Sequence, residues 1–262
     1  MKRITNISLC VCLALVSTFT SCKKDEEVTP TPTPTTPTTP TTTTTSTPSP
    51  KVGSVDGVLV SLRIDMNTVT AGYPITLTTE NAVASFFTST GATTFVDAGT
   101  VSVNSINLEK QTNYTYYKTA TTGMTPADMG FNSTNSSWSV GGAGSVPAFN
   151  YDHNVPFPKF TGTIPENVTR SSGLSISVGG DITNADSIIL FMVKDSVSLT
   201  RTFSGNATSI SLSASDLSAF PAVTDKSAIL EIVPYRVTMK AQGAKNYAFI
   251  KEYAAVRMVN IN

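Results

Sequence analysis

The chain has 262 residues, and only 14% of them are charged, 18 basic against 18 acidic. That balance offers no basic field to draw nucleic acid and no acidic field to draw a basic partner. All three cysteines, Cys10, Cys12 and Cys22, fall in the first 22 residues, so the remainder has no internal disulfide and no thiol nucleophile.

Residues 1–21 predict an export signal. Lys2 and Arg3 supply the charge, an apolar stretch runs over 7–19, and small residues Thr20 and Ser21 precede Cys22. The apolar stretch is shorter than the roughly 20 residues that a spanning helix needs, and no later segment approaches that length. Cleavage before Cys22 leaves one cysteine at the new N-terminus. Phe19-Thr20-Ser21-Cys22 resembles the lipobox of bacterial lipoproteins, with Phe19 where Leu or Val is usual. The resemblance implies lipid attachment at Cys22 and a membrane contact through that lipid. The run Lys23, Lys24, Asp25, Glu26 and Glu27 is similar to the lysine-then-acid signal of surface-exposed Bacteroidetes lipoproteins. It implies an outer-membrane address facing outward.

Residues 22–50 form the expected tether. From Thr29 to Pro50 the chain is Thr and Pro with two serines, and it has no aromatic side chain. Such a stretch buries too little apolar area to offset its ordering entropy, and its prolines favour extended chain. At about 3.1 Å per residue it reaches roughly 65–70 Å.

The region from 51 on predicts strands throughout. Val58, Val60, Leu62 and Ile64 alternate with the residues between them, which is the period of a strand. Further strands are expected over 73–79, 82–87, 100–108, 114–118 and 136–140. Val155-Pro156-Phe157-Pro158 is stiff and poorly helical, and it reads as a domain junction. Beyond it strands are expected over 160–164, 174–178, 187–194, 198–203, 208–213, 228–240 and 246–260. A short helical turn over 215–220 takes Ser215 as its cap. The expected fold class is all-β, with two tandem sandwiches at 51–154 and 155–262. The second has the strand count of an immunoglobulin or fibronectin type III domain, and the missing disulfide favours the latter. Phe95-Val96-Asp97-Ala98-Gly99-Thr100 with its continuation to Asn104, Trp138-Ser139-Val140-Gly141-Gly142, and Val146-Pro147-Ala148-Phe149 resemble a family of uncharacterised Bacteroidetes lipoproteins. That resemblance implies the address and the β fold, and no activity.

The chemical inventory is thin. His153 is the single histidine, so a Ser-His-acid triad would have to use it, with Asp152 beside it. No Gly-x-Ser-x-Gly elbow and no zinc-type ligand pair occurs. Gly141-Gly142-Ala143-Gly144-Ser145 is followed by Val146-Pro147 and opens no helix, which excludes a phosphate loop. Asp181, Asn184 and Asp186 match no established calcium loop and read as turn residues. Carboxylates beyond residue 50 leave glycoside hydrolysis by an acid pair as one reading. Trp138, with Tyr151 and His153, forms either a stacking surface for a glycan or peptide or part of a β core. The expectation is a non-catalytic, lipid-anchored binding or display protein at the cell surface, without cofactor or metal. Its alternatives are a glycan-binding accessory of a polysaccharide-utilisation system and a carboxylate-pair glycoside hydrolase.

Overall fold

β-branched and aromatic residues pack well on a pleated, covered surface, and from residue 57 onward they recur throughout the chain. The computed structural model describes residues 54–70, 73–121, 129–131 and 134–262. The signal segment, Cys22, the charge run from Lys23 to Glu27 and the tether lie outside the described residues. The fold is all-β. Its strands are β1 (Gly57–Thr70), β2 (Tyr73–Phe86), β3 (Val101–Val103), β4 (Ile106–Asn107), β5 (Glu109–Lys110), β6 (Tyr116–Thr121), β7 (Ser137–Val140) and β8 (Phe149–Asp152). They continue with β9 (Lys159–Phe160), β10 (Asn167–Val168), β11 (Leu174–Ser177), β12 (Ile182–Thr183), β13 (Ser187–Lys194) and β14 (Val197–Ser204). The last are β15 (Ser209–Leu212), β16 (Val223–Gln242) and β17 (Lys245–Ile261), with one helical turn, α1 (Ala214–Leu217), before β16.

One nine-stranded sheet organises the molecule, in the order β14-β13-β16-β17-β1-β2-β6-β5, with β10 also paired to β17. β1 runs parallel to β17, Gly57 opposite Tyr247 through Asn67 opposite Arg257. Beyond Arg257 the same edge of β17 is taken by β10, Asn167 opposite Asn260. Two small layers cover one face of this sheet. The first is the four-stranded sheet β4-β3-β7-β8, packed through Leu59, Ala84, Phe86, Trp138, Val140, Phe149, Tyr247 and Phe249. The second includes the β11–β15 pair and β9, packed through Phe160, Ile176, Ile188, Leu190, Ile210, Leu230, Ile232 and Val259. The two cores change over near residue 157, yet Tyr247 and Phe249 from the end of the chain belong to the first. Both halves therefore share the nine-stranded sheet.

Central strands are buried on both faces. Period-two alternation puts Leu190 and Met192 into the second core and Ile189, Phe191 and Val193 on the opposite face, all buried. That explains the unbroken apolar run from Ile188 to Val193.

Two local expectations change. The strand predicted over 100–108 is broken by a hairpin, with Val103 opposite Ile106 and both loop residues left-handed, Asn104 at φ 48° and Ser105 at φ 65°. Two positive φ values are the signature of a type I′ turn, whose twist matches the strands it joins. The helical turn is capped by Ser213, not Ser215. The Ser213 hydroxyl accepts the Asp216 N–H at 3.1 Å and the Asp216 carboxylate accepts the Ser213 N–H at 2.9 Å, a capping box. Gly142 (φ 80°) lies against Ala148, where a Cβ would come within 2.6 Å of the Ala148 nitrogen. Close backbone approach, not phosphate binding, accounts for that glycine.

Candidate functional site

Trp138 sits on β7 directly opposite Tyr151 on β8. Its side chain is 1% exposed and packs in the first core, so it presents no face to a ligand. His153 is fully buried, with Nε2 3.0 Å from Thr238 Oγ1. Burial, then the nearby charges of Lys251 and Arg236, pull its imidazole down to about 3, so it is neutral at physiological pH. Tyr151 is half-buried, its ring 4.2 Å from that of Phe249 and 5.9 Å from that of His153. The three residues are neighbours, but two of them belong to the interior, and the stacking platform is corrected accordingly. Asn184 (φ 60°) is a turn residue, and the Asp186 carboxylate accepts the Val237 N–H at 2.9 Å. Among the described residues no group of three or more His, Cys, Asp or Glu side chains is placed to hold a metal ion.

Among the described residues, concave surface is found where β1 parts from β17. Alternation carries Arg63, Asp65 and Asn67 to the covered face of β1, opposite Tyr253, Ala255 and Arg257 of β17. The Tyr253 hydroxyl donates to Asp65 Oδ2 at 3.0 Å, and Thr78 Oγ1 donates to Asp65 Oδ1 at 2.8 Å. Arg63 Nε lies 3.4 Å from Asp65 Oδ1, and its guanidinium reaches Glu80 at 3.8 Å. Burial, with the adjacent Asp65 charge, pushes the Tyr253 hydroxyl well above its ordinary range, so it remains a donor. A cavity of about 250 Å³ opens over this group. Phe131, Phe157, Pro158 and Phe160 form its apolar walls, and Lys159 and Thr161 stand at its exposed side.

A second cavity, about 450 Å³, adjoins the first and shares Phe160 and Tyr253 with it. It occupies the place where β17 changes partner from β1 to β10. Asn67, Thr76 and Thr163 line it with polar groups, and Ile75 (39% exposed) and Met258 (41% exposed) bring apolar surface. Glu166 is clasped by Arg257 and by Lys226, the latter at 3.0 Å, and Arg257 also donates to the Ile164 carbonyl at 2.9 Å. The Lys226 contact, more than any other, holds the Glu166 carboxyl below its usual range. Asp225 is likewise lowered, chiefly by the Ser227 hydroxyl. These two acids stay ionised at neutral pH and donate no proton.

Sequence reasoning missed this cleft because it joins residues far apart: Asp65 and Tyr253 are 188 positions from each other. The available signal was the pair of charges Arg63 and Asp65 on the face of β1 that begins with buried Leu59. Glu231 has its carboxyl pushed up to about 7 by burial and by Glu252. Its register opposite Val256 places it on the other face of the sheet from Tyr253, away from the cleft. No family model, no curated protein and no solved structure matches this chain.

Proposed function

We propose that the chain is a non-catalytic binding protein, anchored through a lipid on Cys22 to the bacterial outer membrane and displayed at the cell surface, as the resemblance to Bacteroidetes lipoproteins implies. The observation that supports it is the paired cleft around Phe160 and Tyr253. Its combined space suits a ligand, and most of the charges that line it are paired with a neighbour. Such a site recognises without reacting. A carboxylate-pair hydrolase needs an acid with a raised pKa over the substrate, and the lowered Glu166 and Asp225 do not supply one.

Of ligand classes, a glycan is favoured over a protein partner. Small hydrogen-bonding groups (Asn67, Thr76, Thr161, Thr163) line the cleft beside the half-buried Tyr253 ring, which suits a hydroxylated ligand. The test is a glycan-array and pull-down screen of the chain beside its Thr161→Trp variant, which fills the smaller cavity from an exposed position. Ligands lost by the variant belong to the cleft. If the variant keeps every ligand, the site lies elsewhere. Fractionation of Cys22→Ala cells tests the anchor, with release to the soluble fraction expected.

A further inference from the structure

β14 ends the nine-stranded sheet and is paired there on one side, to β13, in a register unbroken from Ser187 opposite Ser204 to Lys194 opposite Val197. A two-residue turn closes this hairpin, so the Lys194–Val197 pair exchanges both backbone bonds and the pairs alternate from there. In step with Val197, the Gly205 N–H donates to the Asp186 carbonyl at 3.0 Å. Alternation therefore turns the N–H and C=O of Ser198, Thr200 and Thr202 outward along the sheet, away from β13. Among the described residues, no acceptor takes up those N–H groups, while the Thr200 carbonyl accepts Arg201 Nη1 at 3.2 Å. Ser198 is exposed and Thr200 half-buried, and Thr202 is buried on the face it shares with Ile189. Edge strands are ordinarily blunted by Pro, by Lys, by a bulge or by shortness. β14 has eight residues and none of these, and its one charge, Arg201, is engaged by Asp216. The other end of the sheet is blunted: β5 is two residues long, Glu109 and Lys110, both exposed.

We infer that β14 is the docking edge for a second copy of the chain, strand against strand and antiparallel, joining two sheets into one. Pairing over the full strand centres on Arg201 or on Thr200. Centred on Arg201, it sets that guanidinium directly against its own counterpart, and like charges in that position repel. Centred on Thr200, it puts Ser198 opposite Thr202 and Leu199 opposite Arg201, so no charge meets its like. Hydroxyl pairs then line one face, a favourable cross-strand combination. On the other face Val197 meets Phe203, and both already pack against the second core. The same edge serves both copies, so the contact closes on itself as a dimer, and β5 offers no second edge from which a fibre could grow. Each copy keeps its cleft, because no residue of β14 lines either cavity.

The experiment is light scattering of the full chain in detergent over a range of concentrations, with the micelle mass subtracted. The native chain is expected to reach about twice the mass of one copy. Thr200→Pro removes the N–H at the two-fold axis without touching the ladder to β13, and Thr200→Lys sets two ammonium groups against each other there. Each variant is expected to keep the native circular dichroism and to show the mass of a single copy. Where Thr200→Pro fails to fold, Thr200→Lys decides. Thr200→Cys is expected to cross-link on mild oxidation beyond the level of the native chain, and Ser89→Cys, exposed after β2, is not. A native chain that stays single at every concentration overturns the inference. A dimer that persists in Thr200→Lys places the interface elsewhere and also overturns it, as does equal cross-linking through Cys at 89 and at 200.

Discussion

Lys251 donates from β17 to the carbonyl of Val155 at 2.9 Å, across the stretch that the sequence marks as a junction. The same ammonium donates to the Thr134 carbonyl at 2.7 Å and stands 4.5 Å from the centre of the Phe157 ring. One fully buried lysine thus holds two connecting segments against the shared sheet, beside a wall of the cleft. Burial pulls its ammonium down to about 8, which leaves it mostly charged at neutral pH and able to serve three directions at once.

Lys251→Met keeps the length of the side chain and removes the donor. Two carbonyls then lose their partner while the cost of burying a charge disappears. The expected net loss is about 2 kcal/mol in denaturant unfolding. An unchanged midpoint contradicts the assignment of Lys251 as the tie between these segments.

Trp138→Ala is expected to cost about 3–5 kcal/mol, the range for emptying an aromatic site in a packed core. Tryptophan emission of the native chain is expected at the short wavelengths of a buried indole and unmoved by any ligand. A surface Trp138 shows the opposite on both counts.

Much of the fold was legible because local period decides it. Val58, Val60, Leu62 and Ile64 announce β1, and the doubly apolar run around Phe191 announces a central strand. The long β16 and β17 were readable for the same reason. What failed were features set by chemistry at single residues or by distant pairing. The hairpin at Asn104 and Ser105 lacks the glycine that marks a type I′ turn, so it hid inside a predicted strand. The sequence predicts Ser215 as the cap, whereas the cap is Ser213, whose capping box is closed by Asp216 three residues on. Trp138 carries the same letters whether it stacks on a sugar or fills a core; the nine-stranded sheet packed against its face decides. The cleft was illegible because it forms where β1 leaves β17, a relation between residues near 65 and near 255.

Ser105→Gly tests the hairpin. Ser105 holds a left-handed conformation that costs a side chain but not glycine. The variant is expected to gain about 0.5 kcal/mol, the relief of φ less the extra entropy of glycine in the unfolded chain. Destabilisation contradicts the turn assignment.

Glu231 gives stability a dependence on pH. Its carboxyl is raised to about 7 from 4.5, so the folded chain retains the proton over a range where the unfolded chain has lost it. That contribution is complete below about pH 4.5 and is lost as pH rises through 7. Glu231→Gln mimics the protonated form, with Glu252 left in place. Its advantage over the native chain is expected to be near zero at pH 4.5 and to reach about 3 kcal/mol at pH 8. An equal effect at both values contradicts the account.

His153 works in the other direction. Its imidazole is lowered to about 3 from 6.5, so stability is whole above 6.5 and falls as pH drops toward 3. His153→Phe keeps a ring beside Phe249 and Tyr151 and removes the titration. Acid unfolding of the variant is expected at lower pH than that of the native chain, and coincident curves count against a buried neutral histidine.

The central claim is that the cleft at Phe160 and Tyr253 captures ligand at the cell surface. Its most direct test is the capture of a labelled array-selected glycan by intact cells carrying either the native chain or Thr161→Trp, with surface amounts matched by antibody. The account predicts capture by native cells and its loss, at equal display, in the variant. Equal capture by the two contradicts it.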